Sequence, residues 1–247
     1  MLKQEKKKLN YLTQKSNKDI RMNYIYSLIL LLTFSFCSTV KVIDKNADTI
    51  PDFTPVKDDE LAKRYAPILE SGSEHGDPYG LYYRASKDSE GNTLITYHYF
   101  WEKEENTGSG VGPFFSRNIY TGGLKLQKSM FGKGDIELVS LIIDKAGKIQ
   151  QVEYETAENY DPNKFGVKHK HMERKGIHKE PVLFKVISWN HLFDYIADNS
   201  GNASNTIRLT PVYFNQQLWE EFGMVKEKES FFSRSRAHKP YEKEFIE

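Results

Sequence analysis

Leu94-Ile95-Thr96-Tyr97-His98-Tyr99-Phe100-Trp101 is a run of aliphatic and aromatic residues interrupted only by Thr96 and His98. Such residues suit a pleated, packed surface, and the flanks Glu90-Gly91-Asn92 and Glu102-Lys103-Glu104-Glu105 bound the run as a strand. Alternation puts Ile95, Tyr97, Tyr99 and Trp101 on one face and Leu94, Thr96, His98 and Phe100 on the other. Both faces are largely apolar, so the segment is expected as a central strand covered on both sides, with His98 a core histidine.

Working outward, Ile136 to Ile143 and Ile149 to Glu155 form a second β-rich unit. Asp144-Lys145-Ala146-Gly147-Lys148 between them reads as the turn of a hairpin. Val182 to Ser188 follows Pro181 as a further strand, and Ile207 to Phe214 reads as another. Asp58 to Ala66 has acidic residues first, helix formers next and a stop at Pro67, which predicts a short helix. Trp189, Leu192, Phe193 and Ile196 fall at helical spacing, which predicts a second one ending near Asp198. Leu218, Trp219 and Phe222 share one face of a helical turn ended by Gly223. The expected fold is therefore mainly β, an antiparallel β-sandwich with a few short helices. It occupies residues 57–247 as one domain with a polar tail from Lys226.

Charge separates the N-terminus from the rest. Residues 1–23 hold seven of the 35 Lys and Arg and two of the 34 Asp and Glu, leaving 28 basic and 32 acidic residues in the remainder. A weakly acidic domain lacks the electrostatic footprint of a nucleic-acid binder. After the basic segment, Tyr24 to Phe36 is an uncharged run of 13 residues, short of the roughly 20 that a spanning helix needs. A basic region, a short apolar core and a processing site are the layout of a secretory signal, here residues 1–36, with Met22 a second possible start.

Cys37, the single cysteine, closes that run. Thr33-Phe34-Ser35-Phe36-Cys37 resembles a bacterial lipobox, with Phe34 and Phe36 where Leu and a small residue are usual. The resemblance implies lipidation of Cys37, which would tie the chain to a membrane. An uncleaved anchor with a free thiol is the alternative. Residues 37–56, rich in Asp, Lys, Thr and Pro, read as a tether.

Four segments in order resemble the vacuolar protein sorting-associated protein 62 family, and distantly the necrosis-inducing (NLP) toxins. They are Leu61-Ala62-Lys63-Arg64-Tyr65-Ala66-Pro67-Ile68-Leu69, then Tyr97 to Trp101, then Gly134-Asp135-Ile136-Glu137-Leu138-Val139, and Glu180-Pro181-Val182-Leu183-Phe184 followed by His191 and Tyr195. The resemblance implies a β-sandwich. Through the toxins' Gly-Asp-Trp-Glu motif it also implies a divalent cation, Ca or Mg, on Asp135 and Glu137, with His191 matching a family histidine. Ile136 replaces that motif's Trp. Phe131-Gly132-Lys133 stands where a Gly-His-x-His would precede it.

Residue chemistry leaves each candidate two readings. Asp135 and Glu137 lead a face that continues with Val139, Leu141 and Ile143. They need a cation or hydrogen-bond donors there: either a metal, for which oxygen ligands suit Ca or Mg, or a structural pairing. His169 and His171, with His178 nearby, have a spacing that lets two rings chelate from one strand face. Lys168, Lys170, Arg174, Lys175 and Lys179 around them repel cations and mark a solvated basic loop, either plain surface or one that meets anionic headgroups or polysaccharide. Gly108-Ser109-Gly110-Val111-Gly112-Pro113 lacks the leading strand, the Lys-Ser/Thr pair and the following helix of a phosphate loop, so it is expected as a surface loop. No Gly-x-Ser-x-Gly elbow occurs. The expectation is a lipid-anchored protein of the cell envelope, on the outer membrane, whose sandwich binds a protein or glycan partner without catalysis. The rival expectation is a metal-dependent protein acting on membranes or glycans.

Overall fold

In the computed structural model the aromatic run is strand β4, Thr93–Trp101, buried at every residue. The structure describes residues 54–70, 74–117, 134–197 and 206–222. All belong to one compact unit. Cys37, expected as a lipidation site, and the segment expected as its leader lie outside the described residues.

Strands β1 (Thr54–Val56), β3 (Gly80–Lys87), β4, β5 (Asp135–Ile143), β6 (Ile149–Ala157) and β7 (His169–His178) line up in that order, and β11 (Val212–Tyr213) pairs with β3. A smaller sheet has the order β10 (Thr206–Ile207), β2 (Ile68–Glu70), β8 (Leu183–Val186) and β9 (Phe193–Ile196). Pairing is antiparallel except for β2 with β8 and β11 with β3. The fold is mainly β and sandwich-like. Helix α1 (Asp59–Tyr65) is capped by Asp58, whose side chain accepts from the Leu61 N–H at 3.0 Å. Helical residues 111–117 form α2, and Gln216–Glu221 form α3.

The register opposes Tyr97 to Val139, Ile95 to Leu141 and Trp101 to Asp135. This inner face packs on Ala62 and Tyr65 of α1, Leu69 of β2, Phe184 and Val186 of β8 and Phe193 of β9. Burying each large apolar side chain contributes about 2 kcal/mol. Tyrosine rather than phenylalanine stands on this face because the covering layer offers it backbone acceptors. Tyr97 Oη donates to Ala62 O at 2.8 Å, Tyr99 Oη to Pro67 O at 2.7 Å and Tyr65 Oη to Gly147 O at 2.8 Å. Burial pushes the Tyr97 and Tyr99 phenols above their usual range, so both remain donors. On the opposite face Phe100 and Ile136 pack under Phe214 and Phe222. His98 is buried there, its ring edge against Phe214.

The expected helix over 189–196 does not form. Residues 188–192 make a tight turn and Phe193–Ile196 is β9, because Phe193 and Tyr195 take opposite sides of a strand pairing with β8. The stretch expected as a basic loop is edge strand β7, in register with β6 from His169 to His178. Its lysines point to solvent and guard that edge against further pairing. Residues 111–117 are helical, where the Pro and Phe pair suggested none. Residues 207–214 hold two short strands rather than one. Thr54–Val56, expected at the end of the tether, already pairs with Lys87–Ala85.

Candidate functional site

Strand β4 ends and β5 begins at the same end of the large sheet, and the chain must turn sharply to start β5. Gly134 makes that turn with φ +74°, and a Cβ there would overlap the Trp101 carbonyl oxygen. The residue after it, Asp135, is carried into the protein interior beside Trp101. The 187–192 turn meets it from the other layer.

That turn is built by side chains. The His191 N–H bonds to Ser188 O at 2.9 Å, and the Leu192 N–H bonds to Ser188 Oγ at 3.1 Å. His191 takes φ 60°, a left-handed conformation costing a non-glycine residue about 1–2 kcal/mol. The reward is a buried ion-pair geometry. His191 Nδ1 lies 2.7 Å from Asp135 Oδ2, and Nε2 lies 3.1 Å from His75 O. Nε2–H donates to the His75 carbonyl, and one shared hydrogen joins Nδ1 to the Asp135 carboxyl group, so both ring nitrogens are engaged. The Trp101 indole stacks on the imidazole at 4.4 Å between centroids and 9° between planes, and its N–H donates to Gly76 O at 3.2 Å. The loop carrying His75 and Gly76 is thus tied to the same centre. The His75 side chain is covered although the residue is half-buried, and that desolvation lowers its pKa below the usual histidine value.

Asn190 extends the clamp to the edge strand. Its Oδ1 accepts from Ser188 Oγ at 2.7 Å, and its Nδ2 donates to His169 Nε2 at 2.9 Å. His169 Nδ1–H donates to Glu155 Oε2 at 2.7 Å. Both nitrogens of His169 are engaged, so the chelating pair expected with His171 is not assembled; His171 is exposed on β7. His178 is likewise occupied, between the Tyr195 hydroxyl and Arg174 O.

Of the six sequence candidates, then, Asp135 and His191 meet, Glu137 is buried two residues further along the same face opposite Tyr99, His169 supports the His191 turn, and His171 stands apart, while Cys37 lies outside the described residues. Among the described residues no three His, Cys, Asp or Glu side chains converge as a metal site. Residues 118–133, which include the segment before Gly134, lie outside them. Sequence reasoning missed Trp101 as the stacking partner and the 74–79 loop as the acceptor. A Trp ending a strand opposite an Asp was the available signal.

Above this centre lies the surface of the same end. The connection 102–117 packs on the β6–β7 connection, with Asn106 Nδ2 donating to Lys164 O at 3.0 Å and the Ser109 N–H to Asn163 Oδ1 at 3.3 Å. Tyr79, Val111, Phe114, Phe115 and Phe165 are between 44% and 73% exposed there. They make five of the seven large hydrophobic side chains exposed among the described residues; Ile177 and Val212 are the others. No family model, no curated protein and no solved structure matches the chain.

Proposed function

We propose that the chain is a lipid-anchored lipoprotein of the cell envelope, on the outer membrane, and that its sandwich is a non-catalytic binding module engaging a protein or glycan through its loop end. The gathering of exposed aromatic side chains at that one end carries the reading. Apolar surface clustered on loops over a rigid scaffold is what interaction sites are made of. The buried Asp135–His191 pair fits the role of a brace: both ring nitrogens are committed, which leaves the imidazole no free nitrogen for proton transfer.

The anchor rests on the basic and apolar leader ending at Cys37, and the chain path suits it. β1 enters the large sheet beside Lys87, at the end of β3 away from Gly80 and the aromatic loops. The 16 residues between Cys37 and Thr54 span at most about 60 Å, twice the roughly 30 Å length of a nine-residue strand. A lipid on Cys37 would hold the domain by its far end and leave the loop end facing outward.

Globomycin, which blocks lipoprotein signal cleavage, should make the precursor accumulate, and Cys37→Ser should abolish incorporation of labelled palmitate. Unchanged mobility together with unlabelled native protein defeats the anchor. A photo-crosslinking residue at position 115, displayed on intact cells, should give discrete adducts that the same residue at position 177 does not. Equal patterns from the two positions defeat the loop-end assignment.

A further inference from the structure

The β6–β7 connection is folded round a cavity of about 180 Å³, lined by Glu158, Asn159, Tyr160, Asp161, Lys164 and Lys168 among others. The loop is held from within and without. The Glu158 N–H bonds to Lys168 O at 2.8 Å across its neck, the Lys164 N–H to Asp161 O at 3.1 Å, and the Asn163 N–H to Asp161 Oδ1 at 2.9 Å. Asn106 and Ser109 of the facing connection fasten its outer side. Below, the Tyr160 ring packs edge-on against His75, at 6.1 Å between centroids, so the pocket floor rests on the braced centre. Such a loop is organised before any ligand arrives.

The lining selects against charge and for hydroxyl groups. Two carboxylates, Glu158 and Asp161, balance two ammonium groups, Lys164 and Lys168, and Glu158 is paired to Lys168. A phosphate or a metal ion gains nothing from a balanced set. A neutral polyol, in which every hydroxyl both gives and accepts, can use both kinds of charged group at once. The Asn159 amide supplies both a donor and an acceptor group. The volume is below the roughly 300–1,000 Å³ of drug-sized sites, which limits the ligand to one small ring. Phe165 is exposed on the same loop, and Phe114 and Phe115 are exposed on α2 of the facing connection.

We infer that this pocket holds a single neutral sugar residue, the terminal unit of a glycan. The inference rests on the loop end being the binding end and names the partner's chemistry. The detergent-solubilised full chain is the sample, and the probes are the methyl glycosides of glucose, galactose, mannose and N-acetylglucosamine at about 10 mM, where a millimolar site is well occupied. Saturation-transfer-difference NMR should show transfer to at least one glycoside. Asn159→Gly keeps the left-handed backbone of φ 54° while removing the amide, and should weaken that binding at least about tenfold with an unchanged melting temperature. No transfer to any of the four, transfer undiminished in Asn159→Gly, or displacement of the sugar by inorganic phosphate overturns the inference. Adducts at position 115 that persist without sugar binding would leave the loop-end reading standing while the pocket assignment fell.

Discussion

The two ends of the sandwich are built on opposite plans. At the end where β3 passes to β4 and β5 to β6, two five-residue turns repeat one design. In Asp88-Ser89-Glu90-Gly91-Asn92 and in Asp144-Lys145-Ala146-Gly147-Lys148, the aspartate carboxylate accepts the N–H groups two and four residues on. Its own carbonyl accepts the glycine N–H, and Gly147 supplies the positive φ the reversal needs. Every one of those bonds is local. At the other end the bonds that matter join Asp135 to His191 across 56 residues and His75 to His191 across 116. The first end closes hairpins; the second holds together loops long enough to carry a surface. A binding end needs variable, exposed connections, and these stay in place only if something buried fastens them.

The most direct way to break the contrast is to cut the brace. Asp135→Ala, or His191→Ala, removes one partner of a buried hydrogen-bonded pair and should cost about 3–5 kcal/mol. The double substitution should cost clearly less than the two singles added, as groups in one bond network do. Additive losses in urea unfolding would mean the pair is not a coupled unit. Gly134→Ala is next: a left-handed φ and overlap with Trp101 O should together cost about 2–3 kcal/mol, read as a fall in the denaturation midpoint. Tyr97→Phe leaves Ala62 O without its buried donor and should cost about 1–2 kcal/mol, with little change in the spectra of the loop end.

The smallest effect separates the two ends by pH. Burial lowers the pKa of His75 from 6.5, so the unfolded chain takes up the proton first. Its contribution is fully present above 6.5 and declines as the pH falls through 6.5 towards the folded value. The Asn92 side chain holds Asp88, and the Lys148 N–H holds Asp144, below the ordinary carboxylate value of 3.8. Their contribution is intact above 3.8 and is lost only as the pH drops through the lowered values. Hydrogen-exchange protection around His75 should therefore fall as the pH drops below about 6.5, while protection at Asn92 and Lys148 holds until the carboxylate range is reached. A parallel fall at both ends would remove the distinction.

Legibility follows the same division. The buried strand 93–101, the 135–157 hairpin and the helix after Asp58 could be read because each announces itself within ten residues, through alternation, a turn glycine or an acidic cap. Gly80–Lys87 gave no comparable signal: it has few aliphatic residues, and its place beside β4 is set by the partner's register. Trp189, Leu192, Phe193 and Ile196 have helical spacing, yet the small sheet overrides it, since pairing with β8 satisfies backbone groups a buried helical turn would leave open. Asp135, Glu137 and His191 were visible as candidates; that Asp135 would meet His191, and Trp101 stack on it, was not.

From composition and pattern alone follow the β class, the centrality of residues 94–101, the hairpin turns and the charge division between residues 1–23 and the rest. These depend on interactions a few residues long, which the order of side chains expresses directly. The pairing of Asp135 with His191, the conversion of the basic stretch into an edge strand, and the loops that place five exposed hydrophobic side chains at one end come from packing between residues far apart in the chain. Such contacts depend on which faces meet when two sheets close on each other, and no short window of sequence carries that information.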